Sequence, residues 1–184
     1  VANRRKIIAA INMTLDGYCD HTAVMADDEL HAHYSNLING ADLALYGRIT
    51  YQLMEYWKGI LANPTGDKLT DDFAVSIDRI PKVVFSRTLK NVDWSSARIA
   101  AQELRKEVLT VRELPGKDIL VCSRSLIAAL INHGLVDELQ LAIHPVIVGK
   151  GLPLLDLIGE KTFLKLERTK TLASGAIVLY YRFR

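Results

Sequence analysis

Residues 6–12 read KIIAAIN, a short and continuously apolar run that ends at a turn. A strand with one wet face alternates apolar and polar residues; an unbroken run suits a strand buried on both faces. Burial on both faces calls for helices on either side of a parallel sheet. Outward from this run the chain keeps alternating its period. Residues 29–39 carry Leu30, Tyr34, Leu37 and Ile38 at helical spacing, with Asp27 or Asp28 as N-cap and Gly40 as a stop. Residues 41–46 (ADLALY) and 82–86 (KVVFS) read as strands, and 50–57 and 100–108 as helices. Residues 59–72, with Gly59, Pro64 and Gly66, read as a surface loop.

The second half repeats the pattern. Residues 118–122 (DILVC) predict a strand, and 125–133 a helix stopped by Gly134. Residues 137–148 predict a long strand whose internal Pro145 places it at an edge or a bulge. Two runs at 163–172 and 176–184, joined by Ser174-Gly175, predict a closing hairpin, with Ile177, Leu179, Tyr181 and Phe183 on one side of the last strand. The expectation is an α/β domain: a mixed, mostly parallel sheet between helices, with an antiparallel C-terminal hairpin.

Composition narrows the function. With 184 residues, 49% hydrophobic and 24% charged, the chain suits one folded domain over 1–184 and not a disordered segment. Its 23 basic and 21 acidic residues nearly cancel, so no basic stripe for nucleic acid or an anionic membrane is expected. No apolar run has the roughly 20 residues of a membrane helix, and the basic opening at 1–6 does not continue as a secretory signal. Two separated cysteines, Cys19 and Cys122, fit a reduced cytoplasm, each as a small buried hydrophobe.

In parallel sheets ligands sit beyond the carboxyl ends of the strands. Four stretches there carry unusual residues. Leu15-Asp16-Gly17 is a turn, or a turn holding a catalytic aspartate. Tyr46-Gly47-Arg48-Ile49-Thr50 offers close backbone approach, a planar cation and a hydroxyl; it reads as a phosphate contact or as a capped helix with a solvated arginine. Ser86-Arg87-Thr88 repeats one arginine among hydroxyls, and two such stretches after two strands suit an anion with several phosphates. Cys122-Ser123-Arg124-Ser125 enters a helix, where Ser123 or Ser125 is an N-cap or an anion contact. His31 and His33, two apart, make a poor metal pair; His144 reads as structural and His133 as a helix C-terminus. No metal site and no serine-type nucleophile is expected.

In this order the stretches resemble the dihydrofolate-reductase-like superfamily, and most closely the C-terminal reductase domain of the bacterial riboflavin-biosynthesis deaminase-reductase and its stand-alone relatives. The residues carrying the likeness are Leu15-Asp16-Gly17, Ala41-Asp42, Gly47-Arg48-Ile49-Thr50-Tyr51, 82–89 (KVVFSRTL), Trp94, 134–139 (GLVDEL) and 145–151 (PVIVGKG). The resemblance implies a three-layer αβα fold and an NADPH-dependent reductase. It places Gly47, Arg48, Thr50, Ser86 and Arg87 against the cofactor phosphates, and Asp16 near the reacting centre. More loosely, it makes Asp28, with Asp27 and Glu29 beside it, a substrate-side acid. Glu29 by itself reads as a helix-dipole complement.

Relatives carry glycines where this chain has Cys122-Ser123-Arg124. Those side chains either block the backbone's approach to phosphate or let Ser123 and Arg124 add contacts. The expected reaction is hydride transfer to a C=N or C=O of a small heterocyclic or sugar-linked substrate, with 5-amino-6-(5-phosphoribosylamino)uracil as the riboflavin-type case. That case requires a further basic residue for its phosphate. The rivals are a scaffold that kept the fold without the cofactor, and a dihydrofolate or pterin reductase. A homodimer is implied, with residues 139–143 and the hairpin as its contact or, alternatively, as sheet core.

Overall fold

A computed structural model describes residues 4–24 and 26–184; of the basic opening, residues 1–3 lie outside the described residues. The chain runs β1 (Ile7–Thr14), α1 (Asp28–Gly40), β2 (Ala41–Gly47), α2 (Arg48–Met54), α3 (Tyr56–Ala62), α4 (Lys68–Arg79) and β3 (Lys82–Phe85). It continues with β4 (Ala97–Ile99), α5 (Leu104–Glu113), β5 (Asp118–Val121), α6 (Arg124–Asn132), β6 (Glu138–His144), β7 (Leu164–Thr171) and β8 (Ile177–Phe183). The strands form one sheet in the order β4-β3-β2-β5-β1-β6-β8-β7. Pairing is parallel from β4 through β6, and β8 runs antiparallel to both β6 and β7.

Alternation along each inner strand builds two cores. In β2, Leu43 and Leu45 point to the layer of α5 and α6, where Val108, Ile127 and Leu130 meet them. Ala44 and Tyr46 point the other way, toward Ile38 of α1 and Phe73 and Ile77 of α4. In β5, Ile119 and Val121 take the first side and Leu120 the second. Both faces are covered, so the apolar runs have no polar phase. Burying two sides of each strand is what makes α/β sheets self-sufficient.

Several readings are corrected. Residues 59–72 are not a loop. Gly59 sits inside α3, and α4 begins at Lys68, capped by the Asp67 carboxylate accepting from Thr70 N at 2.8 Å. The true break is short, with Gly66 at φ 85°. Phe73, Ala74 and Ile77 recur at helical spacing and are buried, a signal that the loop-forming residues upstream obscured. Strand β4, at 97–99, also went unread, because three residues, two half-buried around the exposed Arg98, are too few to carry a period. Strand β6 is interior, between β1 and β8, and stops at His144, so Pro145 lies beyond it and creates neither edge nor bulge. Its Leu139, Leu141 and Ala142 are buried in the monomer, which makes 139–143 sheet core and not a dimer contact. In β8 the most buried positions are Val178 and Tyr180, on the side opposite Ile177 and Leu179.

Two of the family-like motifs hold the fold together at the amino ends of the strands. Asp137, from GLVDEL, pairs with the buried Arg112 and accepts Ile7 N at 2.7 Å. Asp42 pairs with the buried Arg5 and accepts Lys117 N at 2.9 Å. Gly116 lies so close that a Cβ there would run into the Asp42 carboxylate. At the other end of the first helix, Asp27 caps Leu30 N at 2.7 Å and also accepts Ser174 N at 2.9 Å. Glu29 accepts Ala173 N, so it clamps the hairpin turn as well as facing the helix dipole.

His33 of α1 is buried against Tyr180, whose hydroxyl lies 3.4 Å from Nδ1. Desolvation, then the Lys170 and Arg168 cations, push its imidazole down to about 4. An unfolded histidine binds a proton near 6.5 that the folded one refuses. The contribution to stability is therefore complete above about 6.5 and is lost as pH falls toward 4. Urea titrations at pH 7 and pH 4.5 are expected to show an acid loss about 2 kcal/mol smaller in His33→Gln than in the parent. Equal losses in the two proteins would refute it.

Candidate active site

The carboxyl ends of β1, β2, β3 and β5 open on a cavity of about 670 Å³. Its wall collects most of the residues singled out in the sequence: Gly47 at the end of β2, Arg48 and Thr50 just past it, Ser86 and Arg87 after β3, and Arg124 at the start of α6. The elements explain why. Chain connections place β5 between β1 and β2, so the loops after these strands leave the sheet in different directions and a crevice opens between them.

The three arginines differ. Arg48 is exposed and makes one long contact, to Gln52 Oε1 at 3.3 Å. Arg87 is exposed beside Ser86, whose hydroxyl accepts Thr88 N at 3.1 Å and Leu89 N at 2.9 Å to fold a tight turn. Neither has a carboxylate partner among the described residues. Arg124, by contrast, donates to the Pro153 carbonyl and pairs with Asp156 at 2.7 Å. It braces the loop after β6 and is committed there.

Ser123 is buried, and its hydroxyl accepts Gly47 N at 2.8 Å, tying the end of β2 to the start of α6. It does not cap α6, and the first-turn residues Arg124, Ser125 and Leu126 line the cavity. A Cβ on Gly47 would meet Ser123 and Ser125 at 3.6–3.8 Å, ordinary contact, so the serines leave the backbone there uncrowded. Cys122 lies one position earlier with its thiol raised to about 12 by burial, and Cys19 is raised to about 11. Both stay protonated near neutrality and serve as wall, not nucleophile.

The two aspartates proposed from the sequence sit elsewhere. Asp16 accepts the Thr14 hydroxyl at 2.7 Å, Gly149 N at 2.7 Å and Val148 N at 3.1 Å. These bonds, the Thr14 hydroxyl first, hold its carboxyl below the usual range. Asp16 thus joins Leu15-Asp16-Gly17 to PVIVGKG, and Leu15 N to Val146 O and Cys19 N to Leu152 O continue the seam along the cavity rim. Asp28 is exposed on the first turn of α1. Neither lines the cavity.

The rest of the wall was not anticipated. Leu30, His31, Tyr34 and Ile38 present one face of α1 to the cavity, and Leu53, Met54, Trp57, Phe73 and Ile77 close it from α2, α3 and α4. Tyr34 was read only as part of an apolar stripe. Burial raises its hydroxyl well above the ordinary tyrosine value, so it remains a hydrogen-bond donor. No group of three or more His, Cys, Asp or Glu among the described residues is placed to hold a metal ion, and no helix among them is long and apolar enough to cross a membrane.

A sequence model of the RibD C-terminal domain matches residues 5–179. The chain belongs to the RibD C-terminal domain family. It is 32% identical over 187 residues to the uncharacterized protein YyaP of Bacillus subtilis (strain 168), with 98% of this chain and 96% of that protein covered. A putative riboflavin biosynthesis protein from Shewanella sp. PV-4 shares the fold at a TM-score of 0.73 and 16% identity, over 97% of this chain and 99% of the other. A deaminase/5-amino-6-(5-phosphoribosylamino)uracil reductase from Thermotoga maritima matches at a TM-score of 0.64 and 15% identity. This chain covers 57% of that one, and 98% of this chain is matched. GLVDEL and Ala41-Asp42 stand away from the cavity, and in this chain they fasten the amino ends of the strands.

Proposed function

We propose that the protein is an NADPH-dependent reductase of the RibD type. The observation that carries this reading is the pair of arginines, Arg48 and Arg87, that have no acidic partner among the described residues and stand at the strand-end rim of a large cavity. The donor set fits a dinucleotide polyphosphate: two planar cations, the Thr50 hydroxyl and the uncapped amides of α6. Held by these groups, NADPH would supply the hydride for reduction of a C=N or C=O carbon.

The chain's own residues then have separate tasks. Ser123 holds the Gly47 amide in place beside the phosphates. Leu53, Met54 and Trp57 keep bulk water from the acceptor. Tyr34, protonated and on the cavity wall, donates a hydrogen bond to the acceptor heteroatom, with solvent as the final proton source. Asp16 is a positioning residue that fixes the rim loop. Arg124 acts through the same loop and not on phosphate. Titrating the purified protein with NADPH and following nicotinamide fluorescence tests the reading; saturable binding with a preference over NADH is expected, and an unsaturable signal favours the scaffold.

Self-association is proposed on the resemblance and on the exposed Leu155, Leu157 and Phe163 leading into the hairpin. Light scattering is expected to give twice the chain mass; a monomer at micromolar concentration refutes it.

A further inference from the structure

The acceptor end of the cavity has a chemistry of its own. Among the described residues, no Asp, Glu or Lys lines any part of the wall. The cations on it are the two rim arginines assigned to the cofactor and Arg124, which Asp156 already neutralises. A phosphorylated substrate would therefore meet no remaining arginine or lysine among the described residues, only the His21 and His31 imidazoles. A pterin, recognised through an amidine-like edge, would ask for a carboxylate, and Asp16 and Asp28 both lie off the wall. Moving an unpaired charge into such a site is strongly disfavoured.

What the wall offers instead is mostly apolar and aromatic surface, with Asn12, His21, His31, Tyr34 and Ser125 as polar groups on it. Trp57 and Phe73 meet edge to face at 4.7 Å, and His31 lies nearly parallel to Phe73, 19° between planes and 5.8 Å between centroids. Leu30, Ile38 and Leu53 add aliphatic surface, with the Tyr34 hydroxyl as a donor. Aromatic walls with one or two placed polar groups select planar apolar ligands. We infer that the acceptor is an uncharged, planar aromatic carbonyl or imine compound carrying neither phosphate nor amidine. The inference rests on the reductase reading, which assigns Arg48 and Arg87 to NADPH and supplies the redox step. There the acceptor carbon takes the hydride, its π pair moves to oxygen or nitrogen, a proton joins that atom, and NADP+ remains.

The test uses binding, with 2-acetonaphthone as the neutral aromatic probe and uridine 5′-monophosphate as the phosphorylated one. Both are titrated with and without NADP+, which occupies the arginine end, and tryptophan emission is followed. Trp94 is buried away from the cavity, and the Trp57→Phe variant identifies the responding side chain. Saturable quenching by 2-acetonaphthone is expected, not displaced by uridine 5′-monophosphate when NADP+ is present. Leu53→Glu, at a partly exposed wall position that tolerates the change, is expected to weaken it about tenfold or more, with an unaltered melting curve. Absence of saturation, or displacement by uridine 5′-monophosphate with NADP+ bound, overturns the inference. If quenching holds while NADPH oxidation and NADPH binding both fail, the reductase reading falls, and the ligand class stands only where uridine 5′-monophosphate fails to displace 2-acetonaphthone without NADP+ as well.

Discussion

Replacing Arg48 and Arg87 together by alanine is expected to weaken NADPH binding about 100-fold or more and to remove the preference for NADPH over NADH. Each guanidinium offers charge-assisted hydrogen bonds to phosphate, worth about 1.5–3 kcal/mol apiece. Two such losses correspond to roughly 10²–10⁴ in the dissociation constant. Both side chains are exposed, and Arg48 has only a 3.3 Å contact to Gln52, so the melting curve should hardly move. Arg124→Ala is the informative contrast. It releases Asp156 and the Pro153 carbonyl, so it should loosen the rim loop while leaving NADPH selectivity in place. Strong NADPH preference surviving the double replacement would sink the site assignment.

Arg112→Leu is expected to lower the stability of the fold by about 3–5 kcal/mol, or on the order of 10 °C in Tm for a chain of this length. Arg112 is buried and is held from three directions. Its Nε donates to the Arg5 carbonyl at 3.1 Å, one terminal nitrogen donates to the Leu135 carbonyl at 3.3 Å, and the other pairs with Asp137. Its removal leaves two carbonyls and a partly buried carboxylate unmatched where α5, β1 and β6 converge. Arg112→Lys should not restore the loss, since an ammonium cannot reproduce a planar three-way fork. Lys68→Ala, which breaks the exposed Lys68–Asp72 pair on α4, should change stability by about 0.5 kcal/mol or less. Urea denaturation of the three variants would decide this, and a parent-like midpoint for Arg112→Leu would refute it.

What could be read ahead of the structure was local. Apolar runs at 6–12, 41–46 and 118–122 became β1, β2 and β5 because the period of burial is written along consecutive residues. The α1 N-cap was legible because an aspartate three residues before an amide is a short-range bond. Where the sequence misled, composition outweighed period, as at residues 59–72, where Pro64 and two glycines hid the stripe of Phe73 and Ile77. Gly47, Arg48, Thr50, Ser86 and Arg87 could be placed on the cavity wall because each stands at or just past a strand end. Tyr34 and Trp57 could not, since a residue facing a cavity looks in sequence like one facing the core.

By itself, then, the sequence determined a doubly covered, mostly parallel sheet closed by a hairpin, and cations placed at its strand ends. It could not say which cations are free. Arg48, Arg87 and Arg124 look alike in their strand-end stretches. Only folding brings Asp156, 32 residues further on, to Arg124, and brings Gly149 to Asp16 across 133 residues. Short-range bonds repeat along the chain and leave a pattern. A pairing between distant residues leaves none, yet it decides which charges remain available to a ligand.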